Sequence, residues 1–270
     1  MSEAKSGGDA ERKLDRKDDA PLSGGDKQTA RKADSNTAPF AETRGEALSR
    51  TALLLGESAM ERLAGARVAV VGVGGVGGHC AEALARAGVG ALHLVDGDVF
   101  AGSNLNRQLF ATYATLGMEK PTAARERIAA FSRCRVSTVF AFITEENIAE
   151  HLCGDFDYIV DAIDQLSGKL ALVRFASERN IPILSCMGAG NRLDAAAFCV
   201  KDIFATSGCP LARRMRQSLR KMGISALDCV VSNEPPAPHE SSTIGSLAPV
   251  TGAAGLIAAG KVCASLSEKR

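Results

Sequence analysis

Arg67-Val68-Ala69-Val70-Val71-Gly72-Val73-Gly74-Gly75-Val76-Gly77 decides the fold. The first five residues form a short, mostly β-branched run, which reads as a buried strand. The glycine-rich turn Gly72 to Gly77 follows. Over 76–87, Ala and Leu then recur at helical spacing until Gly88 stops the run. This order places a helix N-terminus, with free N–H groups and the positive end of its dipole, beside backbone without Cβ atoms, where a phosphate can come close. Asp96 ends the next strand, 91–95, where an acid can accept hydrogen bonds from ribose hydroxyls. A nicotinamide-cofactor fold, an ATP-binding fold and a glycine turn with no ligand all remain open at this point.

Outward from this unit the pattern alternates. Helices are expected at 53–63, 122–131, 145–152 and 166–178, and strands at 135–140, 158–162 and 181–186. Short apolar strands separated by helices imply an α/β fold, a doubly wound, Rossmann-like, mostly parallel sheet with helices on both faces. Beyond Gly190 the alternation weakens into a C-terminal extension. It reads as a strand at 195–200, a helix at 211–222, a strand at 226–232, a proline-rich loop at 233–240 and a final helix at 247–266. The uncharged stretch 244–260 reads as a buried helix, because it is short and weakly apolar for a membrane span. The domain reading is therefore a tail at 1–44 and a nucleotide-binding domain at 45–270, with 191–246 as a substrate-binding extension.

Composition narrows the class. The chain has 270 residues, 46% of them hydrophobic, so a large core is available without any Trp. The 32 basic and 31 acidic residues give a net charge of +1, which excludes a uniformly basic nucleic-acid binder but not a local basic patch. Residues 1–44 mix acids and bases with few large apolar groups, so they read as disordered. The eight Cys fall at 80, 134, 153, 186, 199, 209, 229 and 263. None forms a Cys-x-x-Cys pair, so no zinc knuckle is expected, and reduced thiols fit a cytoplasmic location. His79, His93, His151 and His239 show no spacing that singles one out.

The polar residues downstream bear on the nucleotide. Asn104, Arg107 and Gln108 follow Asp96-Gly97-Asp98, then come Lys120 and Asp161-Ala162-Ile163-Asp164. Hydride transfer needs no such cations. A triphosphate site does: Arg107 and Lys120 can neutralise phosphate charge, Asn104 can donate an amide hydrogen bond, and Asp164 can hold Mg²⁺ at a strand end. Taken singly, Arg107 also reads as a surface residue, Lys120 as a solvated helix charge and Asp164 as a helix N-cap.

This ordered set resembles the adenylation domain of the ThiF/MoeB/HesA superfamily, itself similar to ubiquitin-activating enzymes. The resemblance covers about 49–266. It implies ATP bound by Gly72, Gly74, Gly75 and Gly77, with Asp96 on the ribose. Asn104, Arg107, Gln108 and Lys120 would then lie at the nucleotide and Asp164 at the metal. It also implies a homodimer in which Arg50, in Ser49-Arg50-Thr51, reaches the partner's nucleotide. Arg50, Arg107, Lys120 and Asp164 are the implied catalytic set.

The sulfur-carrier-activating branch commonly carries two Cys-x-x-Cys pairs, which this chain lacks. Its second half looks instead like the branch that dehydrates threonylcarbamoyladenosine in tRNA. The matching stretches are Met187-Gly188-Ala189-Gly190-Asn191, Cys209-Pro210-Leu211-Ala212, Val231-Ser232-Asn233-Glu234-Pro235 and Gly245-Ser246. The implied reaction is adenylation of the threonyl carboxylate by ATP, followed by intramolecular ring closure that expels AMP. The alternative is an enzyme that adenylates the C-terminus of a ubiquitin-like sulfur carrier.

Cys229 is the candidate nucleophile, weighed against a buried structural thiol. The tRNA partner would meet Arg213, Arg214, Arg216, Arg220 and Lys221, with Arg213, Arg216 and Arg220 on one helical stripe. A solvated helix face is the alternative. A sulfur-transfer protein is a further expected partner, and no membrane is.

Overall fold

A computed structural model describes residues 39–238 and 243–268. The expected disordered tail falls outside the described residues as far as residue 38. Its expected end at residue 44 is too late, because helix α1 spans Pro39–Leu55. Proline is well suited to a first helical turn, where its missing N–H has no partner to lose. Residues 42–270 form one compact unit.

Within that unit α2 (Glu57–Gly65) leads into β1 (Arg67–Val71), α3 (Gly77–Ala87) and β2 (Ala91–Val95). Then come α4 (Lys120–Ala129), β3 (Arg135–Val139), the short α5 (Ile148–His151), β4 (Tyr158–Asp161), α6 (Leu166–Arg179) and β5 (Ile183–Cys186). The extension supplies β6 (Phe198–Asp202), α7 (Pro210–Lys221), β7 (Asp228–Ser232) and α8 (Ala248–Ser267). The single helix expected at 53–63 is two helices, because Gly56 adopts φ +80° between them.

The seven strands run in the order β3-β2-β1-β4-β5-β7-β6. All pair in parallel except the edge strand β6, which runs antiparallel to β7 from Phe198↔Ser232 to Asp202↔Asp228. The order reverses between β1 and β4, paired from Val68↔Tyr158 to Val71↔Asp161. A crevice opens beyond the strand ends at such a reversal.

β1 serves both faces of the sheet. Val68 and Val70 join α3, α4 and α8 in one core, while Ala69 and Val71 join α5 and α6 in the other. A third core lies under α7, built from Ala212, Met215 and Leu219 against Cys229 and Val231 of β7. α8 is long and apolar enough to cross a membrane by length and composition, but half of it is buried. It packs on α3 so tightly that a Cβ at Gly255 would lie 2.3 Å from the Val76 carbonyl oxygen.

Candidate active site

The crevice holds a cavity of about 390 Å³. Its floor is the glycine turn. Gly72 takes φ +91°, and a Cβ there would sit 2.7 Å from the Ala162 carbonyl. A Cβ on Gly77 would lie 1.8 Å from the Gly72 oxygen, so this glycine closes the turn beneath the cavity rather than lining it. Gly74 is different. Its absent Cβ would meet nothing nearer than Gln108 Nε2 at 3.8 Å, so the space above it is left for a ligand.

Asp96 stands at the end of β2. Its carboxylate accepts the Val73 N–H at 2.6 Å and the Asp98 N–H at 2.9 Å. Burial raises its proton affinity above that of an ordinary aspartate, and the nearby Lys120 charge and the two N–H bonds only partly offset this. Carboxylate oxygens have further lone pairs, so both can still accept a ribose hydroxyl.

Lys120, the first residue of α4, is buried, and its Nζ lies 2.8 Å from Asp98 Oδ2. It is therefore not the solvated helix charge that a single-residue reading allows. Asn104 spends its carbonyl on the Ala101 N–H at 3.0 Å, which leaves its amide N–H₂ to donate. Arg107 is steadied by the Ser103 carbonyl at 2.9 Å and the Asn106 side chain at 3.0 Å. Gln108 is buried, and its Oε1 has no hydrogen-bond partner. Buried acceptors are nearly always paired, so this atom calls for a donor from a ligand.

Asp164 lies in the turn after β4, exposed at the cavity rim. It is not a helix cap: the N-cap of α6 is Gln165, with no side-chain capping bond. Among the described residues no cluster of three or more His, Cys, Asp or Glu could hold a metal ion. A magnesium ion needs less, one or two carboxylates completed by phosphates and water, and Asp164 fits that donor set.

The structure thus gathers Gly72, Gly74, Gly75, Asp96, Asn104, Arg107, Gln108, Lys120 and Asp164 around one space. Arg50 is not among them. It is exposed on α1, outside its own chain's cavity. Cys229 is not there either. It sits within β7 with no exposure, and burial, reinforced by Asp202 and neighbouring thiols, pushes its pKa to about 12. A thiol that does not ionise and cannot be reached is no nucleophile, so the expectation for Cys229 is corrected to a core residue.

The basic helix α7 is corrected in one position. Arg213, Arg214, Arg220 and Lys221 are exposed, but Arg216 bonds to the Thr206 hydroxyl and the Ile203 carbonyl and holds its own loop. Arg220 also lies over the Phe204 ring, 5.4 Å from its centre.

Sequence reasoning missed five contributors. Ala141, Phe142 and Ile143, after β3, line the cavity beside Gly97. Phe142 is 55% exposed there, an aromatic face offered to a flat base. Thr251 of α8 reaches the glycine turn, 3.2 Å from where a Cβ on Gly75 would be. Beneath the rim, fully buried Lys169 donates to both Asp161 oxygens at 3.0 Å and to the Cys186 carbonyl at 2.7 Å, while Ser185 also donates to Asp161. Lysine at the fourth position of a helix carries no signal of this; only its placement between the β4 and β5 ends does.

The chain has relatives among known proteins. A model of the ThiF family matches residues 48–270. The tRNA threonylcarbamoyladenosine dehydratase of Escherichia coli is 38% identical over 193 residues, 68% of this chain and 72% of that protein. The protein of that name from Bacillus subtilis is 40% identical over 190 residues, 70% and 75% of the two chains. The crystal structure of the E. coli dehydratase, TcdA, in complex with ATP superposes with a TM-score of 0.78 at 34% identity. It covers 82% of this chain and 94% of that one.

Proposed function

The chain belongs to the ThiF family, and from that premise we propose that it is an ATP-dependent tRNA threonylcarbamoyladenosine dehydratase. The convergence of Asp96, Asn104, Arg107, Lys120 and Asp164 on one cavity, with Gln108 Oε1 awaiting a donor, is the observation that carries the reading. The named relatives supply the substrate class.

A carboxylate is a poor electrophile, since its charge repels nucleophiles and oxide is a bad leaving group. In this reading one oxygen of the threonyl carboxylate attacks the α-phosphorus of ATP, the bond to the β-phosphate oxygen breaks, and pyrophosphate leaves. Arg107, Lys120 and the Asn104 amide stabilise the charge that builds on the α-phosphate. Asp164 would hold Mg²⁺, which would supply charge neutralisation to the phosphates. Asp96 receives the ribose, and Phe142 gives the base a face to stack on. A nucleophile within the same modification then attacks the acyl carbon and AMP leaves, with net loss of one water from the nucleoside. Ring closure is intramolecular, so positioning suffices without a protein nucleophile.

The site is completed in a homodimer through Arg50. Leu53 and Leu54 beside it, 82% and 83% exposed, offer apolar surface for a second copy. The tRNA lies along Arg213, Arg214, Arg220 and Lys221. The extension 191–246 serves as its platform. The eight free thiols suit a reducing, cytoplasmic setting. No zinc is invoked, and a sulfur-transfer protein remains a further proposed partner.

The test is to incubate the protein with ATP, Mg²⁺ and tRNA bearing the threonylcarbamoyl group and to weigh the released nucleoside. Loss of one water is expected. Lys120→Ala and Asp164→Ala should abolish AMP formation with the fold kept. An unchanged nucleoside mass, with pyrophosphate exchange driven instead by a small protein ending in Gly-Gly, would sink the proposal.

A further inference from the structure

Asp161, Lys169 and Ser185 form a polar network with no exposure to solvent. Lys169 Nζ donates to both Asp161 oxygens at 3.0 Å and to the Cys186 carbonyl at 2.7 Å, and the Ser185 hydroxyl donates to Asp161 Oδ2. All three ammonium protons are used. Stability alone gives this pair little reason to exist. Taking two charges out of water costs so much that apolar residues of similar volume often serve a fold as well or better. What a fully bonded buried network does supply is fixed geometry.

The geometry it fixes begins at the Asp161 carboxylate. Asp161 Oδ1 accepts one bond more, from the backbone N–H of Ile163 at 3.3 Å. Ile163 directly precedes Asp164, and both line the cavity. The Ala162 N–H is held as well, by the Val71 carbonyl at 2.8 Å. Packing closes the turn from two further sides. A Cβ on Gly72 would lie 2.7 Å from the Ala162 carbonyl and 2.9 Å from the Ile163 nitrogen. A Cβ on Gly168, beside Lys169, would lie 2.7 Å from Ile163 Cδ1. The turn that carries Asp164 therefore rests directly on the glycine turn. No described residue bonds the exposed Asp164 side chain, so its aim depends on the backbone beneath it.

We propose that Asp161, braced by Lys169, is the positioning residue that holds Asp164 against the glycine turn, where its carboxylate and the phosphates of ATP can share one Mg²⁺. The proposal rests on the ATP and Mg²⁺ reading above. Groups behind a metal ligand fix its orientation, and losing them typically costs about 10- to 100-fold in metal affinity.

Two double variants of the full chain separate positioning from stability. The apolar variant, Asp161→Leu with Lys169→Met, removes both charges together with the acceptor for the Ile163 N–H. The amide variant, Asp161→Asn with Lys169→Met, removes both charges but keeps an oxygen for that N–H. Calorimetry gives ATP affinity with EDTA and across a Mg²⁺ series, and the thermal midpoint of the free protein is read beside it. The apolar variant should keep a midpoint and a metal-free ATP affinity close to those of the unaltered protein. The Mg²⁺ concentration that gives half of the gain in ATP affinity should rise by roughly 10- to 100-fold. The amide variant should recover most of that loss.

An unchanged Mg²⁺ requirement in the apolar variant would overturn the proposal. So would an equal rise in both double variants, since the Ile163 bond would then not be the link. A metal-free ATP affinity that falls as far as the affinity with Mg²⁺, or an apolar variant that does not fold, would make the network a general brace and overturn it too. An unaltered protein that binds ATP no better with Mg²⁺, or an Asp164→Ala variant that keeps the full gain, overturns the metal assignment itself rather than the role of Asp161.

Discussion

Lys169 and Asp161 are both fully buried, so neither charge has water to fall back on. Removing one partner strands the other. Lys169→Met should cost about 3–5 kcal/mol of unfolding free energy, measured by denaturant titration. The double variant Lys169→Met, Asp161→Leu should recover much of that loss, because no charge is left uncompensated. The pair joins the ends of β4 and β5, and Asp164 and Gly188 each follow one of those ends within three residues. Asp96 and Asp164 stand out in the sequence because they fall just beyond strand ends, and Arg107 and Lys120 because of their order, and the structure brings all four to the cavity. Lys169 does not stand out, since burial inverts the ordinary expectation for a basic side chain and only the packed structure shows it. Cys229 misled for the converse reason: a thiol in an apolar strand looks the same in sequence whether or not a cavity adjoins it.

The glycine turn separates two uses of the same residue type. Gly77 gives room to the protein's own backbone, whereas Gly74 gives room to a ligand. Gly77→Ala should therefore destabilise the free protein by at least about 1–3 kcal/mol, the scale of overpacking. Gly74→Ala should leave the thermal midpoint of the free protein nearly unchanged but weaken ATP binding, read by calorimetry. Loss of stability in both variants would show that the turn is purely structural. Elements near this turn were the most legible: β1 and β2 fall where alternation and apolar runs place them. The extension was less so. The strand expected at 195–200 begins only at Phe198, because Asp194 caps a 3₁₀ turn over Ala195–Ala197. The helix expected at 145–152 shrinks to Ile148–His151, and the Asn147 side chain instead ties the preceding loop by bonding to Thr144 and Phe142. That loop carries Phe142 into the cavity, a placement no periodicity encodes.

Across the whole molecule a net charge of +1 conceals an uneven distribution. α7 presents Arg213, Arg214, Arg220 and Lys221 to solvent with no acid in the helix. If these residues follow an RNA backbone, Arg213→Glu with Arg214→Glu should weaken modified and unmodified tRNA alike. The slope of log affinity against log salt should fall by roughly 1–2, with ATP binding unaffected. Filter binding across a salt series would decide it, and an unchanged slope would remove α7 from the RNA surface. Fold class was thus readable from local patterns, and so were most of the polar residues that line the cavity. The direction in which a large substrate approaches was not, because it depends on how separate elements face one another.

The reversal between β1 and β4 has a further consequence for how the molecule comes into being. Asp157, which accepts the Arg67 N–H as the two strands meet, lies 90 residues downstream of it. A nascent chain has therefore completed β1, β2 and β3 well before the other half exists to dock. Closing so distant a seam is slow, because loop-closure entropy must be overcome before the contacts form. Gly72 and Asp96 line the cavity on one side of this seam and Ala162 to Gln165 on the other, so a nucleotide held there would bind only the joined form. On the proposed function, mass action would make ATP a clasp on the assembled sheet as well as a reactant, protecting the seam most where the cell's nucleotide is plentiful.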